Sequence, residues 1–483
     1  MMSCSLPPPP PPPHLLAATV LSPPPATSPR PFLRVKVCGP GCSRPVCLFL
    51  AMQSFARFLL LSACCWSAAL AATTKVVCYF NTSALKRPES SRMLLSQIEP
   101  SFSYCTHLVV GYATINTETY KAVPPSEDEH TTYTNIVALK RRFPSLKILL
   151  SIGGGAADTD TREKYFELLE SDEHRTTFVS SAKSLLKQHG FDGIDIAWEF
   201  PKNKAKKDRG TFGSIWHGIK KAVGAAHSHT DEKADEHKSQ FSALIRELRT
   251  SLRNENALLT LSVIPYINQS LYYDPTALNQ QIDELHVLAF DYRNPERDPK
   301  EADYPAPLYP AGQRDSDLSV DGNIRWFLEN SFPASKLVLG IPTFARTWKL
   351  TEDSKVSGAP PIETDGPGDQ DAIVQTPGLL AYQSVCTLLP NPSNKDKPTT
   401  LRRVNDPSNR LGSYGFRLPS GDVNGLWVGF EDPDVAAYKA QYAKTKSLAG
   451  IAFSDLSLDD YNGICTGEKF PIVRAGTLKL RSP

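Results

Sequence analysis

The sequence lacks an excess of either charge once its first segment is set aside. Five of the 53 basic residues and none of the 51 acidic residues lie in residues 1–71, which leaves 48 basic and 51 acidic residues, a net charge near −3. That balance gives no case for binding nucleic acid or an anionic membrane. The later cysteines form no Cys-x₂-Cys pair, which argues against a metal site. We expect no metal and no cofactor.

The first 51 residues lack every acidic side chain and hold the seven prolines Pro7–Pro13. Such a composition cannot build a hydrophobic core. We interpret 1–51 as a disordered proline-rich extension or as a gene-model artefact.

A second candidate start follows at Met52, where a basic residue precedes a short apolar run and the sequence Ala68-Ala-Leu-Ala71. This order is typical of a secretory signal peptide. We therefore predict a signal peptide over 52–71, cleavage near Ala71, and an extracellular protein of residues 72–483. A membrane anchor is disfavoured because the apolar run is shorter than the ~20 residues that a membrane span needs.

Beyond residue 71, short β-rich runs alternate with amphipathic helical patterns, which predicts βα units around a parallel sheet. The length suits one large barrel. The predicted strands are Lys75–Phe80, His107–Thr114, Leu146–Ile152, Gly193–Trp198, Leu258–Pro265, Leu285–Phe290, Lys336–Pro342 and Ala449–Phe453. Two apolar stripes at helical spacing predict helices around strand four, namely Phe178, Ala182, Leu185 and Leu186 before it and Phe241, Leu244, Ile245, Leu248 and Leu252 after it.

Four cysteines follow the predicted signal peptide: Cys78, Cys105, Cys386 and Cys465. An even count in a secreted chain predicts two disulfides, and the residues alone allow three pairings. The sequons at Asn81 and Asn268 are candidate glycosylation sites.

The segment 191–201, Phe-Asp-Gly-Ile-Asp-Ile-Ala-Trp-Glu-Phe-Pro, is the most informative about function. Strand side chains alternate between faces, so Asp195, Ala197 and Glu199 should point the same way. Asp192 is out of that register, and we expect it to brace the strand or its turn.

This segment resembles the strand-four signature of glycoside hydrolase family 18, Asp-Gly-x-Asp-x-Asp-x-Glu on a (β/α)₈ barrel. Asp192, Asp195 and Glu199 match the first, second and last acids, and Ala197 stands in place of the third. Four further motifs match in the same order: Cys78-Tyr-Phe80, Ser151-Ile-Gly-Gly154, Gly340-Ile-Pro-Thr-Phe-Ala-Arg346 and Trp427-Val-Gly-Phe-Glu-Asp432.

The resemblance implies a TIM barrel whose residues 351–436 form an α+β insertion between strands seven and eight, one wall of a glycan cleft. It also implies the disulfides Cys78–Cys105 and Cys386–Cys465. Within the family, the basic loop after Phe200 and the Asp291-Tyr-Arg-Asn-Pro-Glu segment resemble the insect imaginal disc growth factors, which are secreted chitinase-like proteins.

The family's chemistry is substrate-assisted: the acetamido oxygen of an N-acetylglucosamine unit attacks its own anomeric carbon. The resemblance makes Glu199 a vestigial general acid and Ala197 the missing catalytic position, with Asp195 and Asp192 as the remaining acids. The missing Asp would receive the acetamido N–H. Losing one such preorganised contact costs ~10²–10³ in rate.

Two further departures fall on the same subsite. Active members carry Met-x-Tyr-Asp at the end of strand six, where this chain has Leu-Ala-Phe290-Asp291. Phe290 has no hydroxyl for the acetamido carbonyl, while Asp291 could bind a sugar hydroxyl or hold Arg346. The floor Trp of strand eight is replaced by Ser454 or, if the alignment slips by one residue, by Phe453; either change weakens the stacking platform.

Other residues allow two interpretations. Tyr79, Trp198, Trp348 and Trp427 either stack on sugars or fill the core at the barrel mouth. The basic side chains Lys202, Lys204, Lys206, Lys207 and Arg209 either form a solvated loop or bind an acidic receptor or a sulfated glycan. The nearby histidines fit no metal-ligand pattern: His217, His227, His229 and His237.

These features predict a secreted, non-catalytic, chitinase-like monomer that binds chitin-type or other N-acetylglucosamine-containing glycans, or a cell-surface receptor, and acts as a growth or cuticle-organising factor. One alternative is a weakly active endochitinase that uses Glu199 as its general acid. Another is a storage or structural protein whose cleft is idle. Since a fold does not fix function, the site must decide.

Overall fold

The computed structural model describes residues 74–89, 91–154, 162–200, 231–264, 267–312, 314–354 and 356–483. The predicted extension and signal peptide lie outside these residues. So do the basic side chains of the loop after Phe200 and three of the four histidines: Lys202, Lys204, Lys206, Lys207, Arg209, His217, His227 and His229.

Sixteen strands and eleven α-helices make up the described chain. The strands are β1 (Lys75–Asn81), β2 (His107–Ile115), β3 (Ala122–Val123), β4 (Lys147–Ile152), β5 (Gly193–Ile196), β6 (Leu258–Val263), β7 (Glu284–Val287), β8 (Glu301–Ala302), β9 (Leu337–Pro342), β10 (Phe344–Leu350), β11 (Ile362–Glu363), β12 (Leu379–Ala381), β13 (Arg402–Asn405), β14 (Ser413–Arg417), β15 (Gly425–Phe430) and β16 (Gly450–Ser454). The helices are α1 (Leu95–Ile98), α2 (Glu129–Val137), α3 (Arg162–Glu170), α4 (Asp172–His189), α5 (Ala234–Leu252), α6 (Gln269–Tyr272), α7 (Pro275–Asn279), α8 (Val320–Glu329), α9 (Tyr382–Leu388), α10 (Pro433–Thr445) and α11 (Pro471–Arg481).

Eight parallel strands close into a barrel in the order β1, β2, β4, β5, β6, β7, β9 and β16, with β16 pairing back to β1. The predicted (β/α)₈ TIM barrel is therefore confirmed, and each predicted strand overlaps an observed one. Helices lie between successive strands because each buries one apolar stripe against the barrel wall.

The strand alternation separates an inner from an outer set of side chains. In β5, Ile194 and Ile196 join the large core between the barrel and its helices, while Asp195 faces the interior. The predicted stripes of α4 and α5 are buried in that same core.

A five-stranded antiparallel sheet follows β9, in the order β12, β10, β15, β14 and β13. Its first strand, Phe344–Leu350, directly precedes the range 351–436 expected for the insertion. Helix α10 comes after this sheet and packs on α11 and β16 of the barrel. The small sheet is therefore connected between β9 and α10.

Two disulfides are formed, Cys78–Cys105 and Cys386–Cys465, which confirms the pairing that the resemblance implied. The first links β1 to the segment that leads into β2. The second links α9 of the insertion to the chain beyond β16. Within the described residues, no helix has both the length and the apolar character that a membrane span requires.

Candidate functional site

Some of the predicted site residues lie at the carboxyl ends of the barrel strands, and the first of them along β5 is the fully buried Asp195. Its carboxylate is fully inaccessible and accepts hydrogen bonds from three hydroxyl groups. Ser151 Oγ donates at 2.8 Å, Thr260 Oγ1 at 2.7 Å and Ser262 Oγ at 2.9 Å. These three donors satisfy acceptor sites of the buried carboxylate, which would be costly to leave without partners.

Below Asp195, a second carboxylate lies in the barrel interior. Glu284 on β7 contacts Lys75 on β1, and its Oε2 lies 3.3 Å from His286 Nε2. Burial would raise the pKa of Glu284, but the hydrogen bond to His286 and the charges of His286, His107 and Lys75 lower it to about 2. Burial lowers the pKa of His107.

Ala197 occupies the next inward position after Asp195, just beyond the end of β5. It is buried, and its N–H donates to the carbonyl of Ile152 at 3.0 Å. Gly154, with φ +81°, allows a close approach here, since a Cβ on it would lie 3.2 Å from the carbonyl oxygen of Ala197 and 3.3 Å from the ring of Tyr112. The methyl group of Ala197 offers neither an acceptor nor a charge.

Glu199 is half-buried and follows Ala197 by two residues, beyond the end of β5. Its charge acts on two tyrosines. Burial and then the charges of Asp455, Asp195 and Glu199 raise the pKa of Tyr112, while burial, Tyr272 and Glu199 raise that of Tyr273. Glu199 therefore lies among phenol groups that can donate hydrogen bonds but do not ionise near neutral pH.

Tyr112, Tyr273 and Asp455 were not identified from the sequence. Asp455 is buried directly after β16, accepts the backbone N–H groups of Asn81 and Ser457, and has a pKa raised mainly by burial. Its position after a barrel strand is the signal that could have found it, because carboxyl ends of parallel strands meet at one rim.

Phe290 and Asp291 lie at the rim after β7. Phe290 packs edge-on against Phe344 with ring centroids 5.6 Å apart. Asp291 binds Arg346 through two hydrogen bonds, of 2.7 Å from Nε and 2.5 Å from Nη2, and the guanidinium lies 5.0 Å from the Phe344 ring centroid. Of the two roles expected for Asp291, the structure shows the bond to Arg346.

The end of β16 resolves the alternative between Ser454 and Phe453. Phe453 belongs to the outer core and faces Gly476 of α11, whereas Ala452 belongs to the inner cluster. Alternation then places Ser454 on the inner face. The inward position at the end of strand eight therefore carries a hydroxymethyl group in place of an aromatic ring.

All four aromatic residues proposed to stack on sugars are buried, and three of them lie outside the barrel interior. Trp198 faces the helices and stacks on Tyr165 at 4.5 Å. Trp348 and Trp427 are fully buried in the small sheet, 5.5 Å apart, and donate to backbone carbonyls. A sugar needs an accessible ring face, so the core-filling interpretation is the correct one for these residues.

The remaining predicted residues lie away from the cleft or below it. Tyr79 is buried in the barrel interior, where its hydroxyl contacts Ser262 and His286. Asp192 braces the strand start as expected: its carboxylate accepts the N–H of Ile148 at 2.8 Å and lies 3.0 Å from Lys140 Nζ.

The sequon residues Asn81 and Asn268 are both half-buried, and each uses its side-chain oxygen to cap a short helix. The described histidine His237 is buried between Asp231 and Glu170, at 2.7 and 3.1 Å. Within the described ranges, no group of three or more His, Cys, Asp or Glu residues could hold a metal ion.

The barrel is closed and parallel, it carries acidic groups at the end of its fourth strand, and an antiparallel insertion precedes its eighth strand. This combination is typical of glycoside hydrolase barrels. Residues 75–459 match the family model described as Glycosyl hydrolases family 18. The chain belongs to this family.

The similar proteins include many chitinase-like members of insects. The chain is 45% identical over 416 residues to chitinase-like protein EN03 of Bombyx mori, covering 84% of this chain and 95% of that protein. It is 43% identical over 444 residues to chitinase-like protein Idgf4 of Drosophila melanogaster, covering 89% and 100%. Imaginal disk growth factor 6 of Drosophila melanogaster is 42% identical over 422 residues, covering 84% and 93%.

Solved structures agree with the fold. Catalytic domain 2 of the Ostrinia furnacalis Group II chitinase superposes with a TM-score of 0.69 at 26% identity, covering 84% of this chain and 96% of that domain. YKL-39, solved in the presence of chitooligosaccharides, superposes with a TM-score of 0.68 at 25% identity, covering 85% and 100%.

Proposed function

We propose that this chain is a secreted, non-catalytic chitinase-like protein that binds chitin-type glycans at the carboxyl end of its barrel. The observation that carries the proposal is Ala197, which comes between the buried Asp195 and the half-buried Glu199 where the fourth strand ends. A general acid is present, but the neighbouring carboxylate that would stabilise the developing positive charge is absent.

The surroundings of Ala197 support the same conclusion. Phe290 offers a phenyl ring where the family's chemistry needs a hydroxyl for the acetamido carbonyl, and Ser454 offers no ring for a sugar to stack on. The three changes fall on one subsite and leave the barrel closed. They reduce catalysis without removing the rest of the cleft.

Glycan binding is supported by groups that remain at the rim. Arg346 is fixed by Asp291, and the half-buried Tyr112 is close enough to Glu199 to feel its charge. YKL-39, a family relative by fold, was solved in the presence of chitooligosaccharides. We expect an extracellular monomer whose glycan or receptor contacts serve a growth or cuticle-organising role, and the name of imaginal disk growth factor 6 supports the growth part of this expectation.

One preparation tests both halves of the proposal. Binding of chitooligosaccharides is measured by calorimetry, and release of shorter oligomers is measured by mass spectrometry on the same samples. We expect binding without release. Arg346→Ala should weaken binding. Asp192→Asn is the control and should not weaken it, because Asp192 lies before β5, at the end of the strand away from the site. Absence of binding, or equal effects of both substitutions, contradicts the proposal.

A weakly active endochitinase is the second candidate, because Glu199 and the hydroxyl array around Asp195 are both retained. It is distinguished by the same samples. Slow release of oligomers that Glu199→Gln abolishes would favour it over the non-catalytic protein.

A further inference from the structure

A continuous chain of buried polar side chains runs through the barrel interior. Ser262 Oγ lies 2.9 Å from Asp195 Oδ2, Tyr79 Oη lies 2.6 Å from Ser262 Oγ, and His286 Nδ1 lies 2.6 Å from Tyr79 Oη. Glu284 continues the chain at the other ring nitrogen of His286. Each of these five residues is at most 1% exposed.

Hydrogen counting limits how this chain can be protonated. The three contacts from Asp195 to His286 need three hydrogens, but the two hydroxyl groups between them supply only two. The third hydrogen therefore comes from one of the two ends of the chain, His286 or Asp195. Either His286 Nδ1 carries a hydrogen and donates toward an ionised Asp195, or Asp195 is protonated and the chain runs the other way.

The partners of the two ends favour the first arrangement. Asp195 also accepts from Ser151 and Thr260, so that three hydroxyl groups point hydrogens at its carboxylate. At the other end, His286 Nε2 lies 3.3 Å from Glu284 Oε2, and Glu284 also contacts the ammonium group of Lys75, so this carboxylate is the acceptor and the ring nitrogen is the donor. Both ring nitrogens then act as donors.

We infer that His286 carries a hydrogen on both ring nitrogens and is the buried counter-ion of Asp195. The charged and titratable groups facing it are Asp195 at 3.8 Å, Glu284 at 3.3 Å and the Tyr79 hydroxyl, with Lys75 and His107 beyond Glu284. The two anions Asp195 and Glu284 are then balanced by the two cations His286 and Lys75. Asp195 is thus retained as part of a structural ion network, and its presence is no sign of hydrolysis.

The inference goes beyond glycan binding and is tested without it. The ¹⁵N resonances of the His286 ring are recorded at pH 7.5 on the full secreted chain and assigned by their absence in His286→Gln. We expect both nitrogens to show the shifts of a doubly protonated ring. A ring with one bare nitrogen overturns the inference.

The variant Asp195→Asn should reverse the direction of the hydrogen bonds in this chain. The amide N–H of Asn can donate to Ser262, which reverses the chain and makes His286 Nδ1 an acceptor. We expect that nitrogen to lose its hydrogen in Asp195→Asn and to keep it in Asp192→Asn, whose carboxylate lies at the other end of β5. An unchanged ring in a folded Asp195→Asn protein contradicts the counter-ion role.

Discussion

Restoring the missing carboxylate is the sharpest test of the lost catalysis. The perturbation is Ala197→Asp combined with Phe290→Tyr. The first change adds an acceptor for the acetamido N–H on the face shared with Asp195 and Glu199, and the second adds a hydroxyl at the rim of β7. Both new groups address one acetamido group, so their effects should couple.

The expected magnitudes follow from the two absent contacts. One preorganised contact is worth ~10²–10³ in rate, so the loss of both lowers turnover by roughly 10⁴–10⁶. An ordinary enzyme turns over at ~1 s⁻¹ or more. Starting from ~1 s⁻¹, this loss leaves the unmodified chain at ~10⁻⁴–10⁻⁶ s⁻¹. Each single variant should recover part of the difference, and the recovery in the double variant should exceed the product of the two single recoveries.

The assay follows product release from chitin oligomers by mass spectrometry, with circular dichroism to confirm folding, because the new Asp must fit a packed barrel layer beside Asp195. Adding Glu199→Gln to the double variant is the control and should abolish the recovered activity. If the unmodified chain already turns over at ~1 s⁻¹ or more, the reasoning from Ala197 is wrong. Asp195 or a water would then replace the missing carboxylate.

Three further predictions concern stability and processing. Cys78→Ser or Cys386→Ser should lower the free energy of unfolding by ~2–5 kcal/mol in urea denaturation and reduce secretion; unchanged stability, or free thiols in the native protein, contradicts this. Because the pKa of Glu284 falls from 4.5 unfolded to about 2 folded, its contribution, on the order of 3 kcal/mol, is present above pH 4.5 and lost as pH falls toward 2. Denaturation across that window should show the loss, and Glu284→Gln should flatten it; equal slopes refute the assignment. Protein from culture medium should begin near Ala72 by N-terminal sequencing, and peptides from the early proline run in that material would exclude this start.

Strand positions and the inward face of the site were predictable from local patterns. Buried parallel strands are short apolar runs, and alternation alone assigns Asp195, Ala197 and Glu199 to one face. The same rule excludes Trp198, which is out of that register and packs among the helices. Its proposed sugar contact could have been rejected from the sequence.

Residues brought together by long connections were harder to predict. Asp455 follows β16 and lies close enough to Tyr112, within β2, to raise its pKa, although more than 300 positions separate them in the sequence. No periodic pattern in the local sequence indicates such a contact. The burial of Trp348 and Trp427 likewise follows from the pairing of β10 with β15, which only the three-dimensional register reveals.

Strand four keeps an acid at position 195 and lacks one at position 197, and the contacts made at each position explain the difference. Replacing Asp195 would leave Ser151, Thr260 and Ser262 without their acceptor, and each unsatisfied buried group costs ~1–3 kcal/mol. Ala197, by contrast, bonds to its neighbours through its backbone, which donates to the carbonyl of Ile152. A carboxylate there can be lost at little cost to the fold, whereas Asp195 cannot. The retention of Asp195 is therefore explained by stability, and hydrolytic activity has to be judged on position 197.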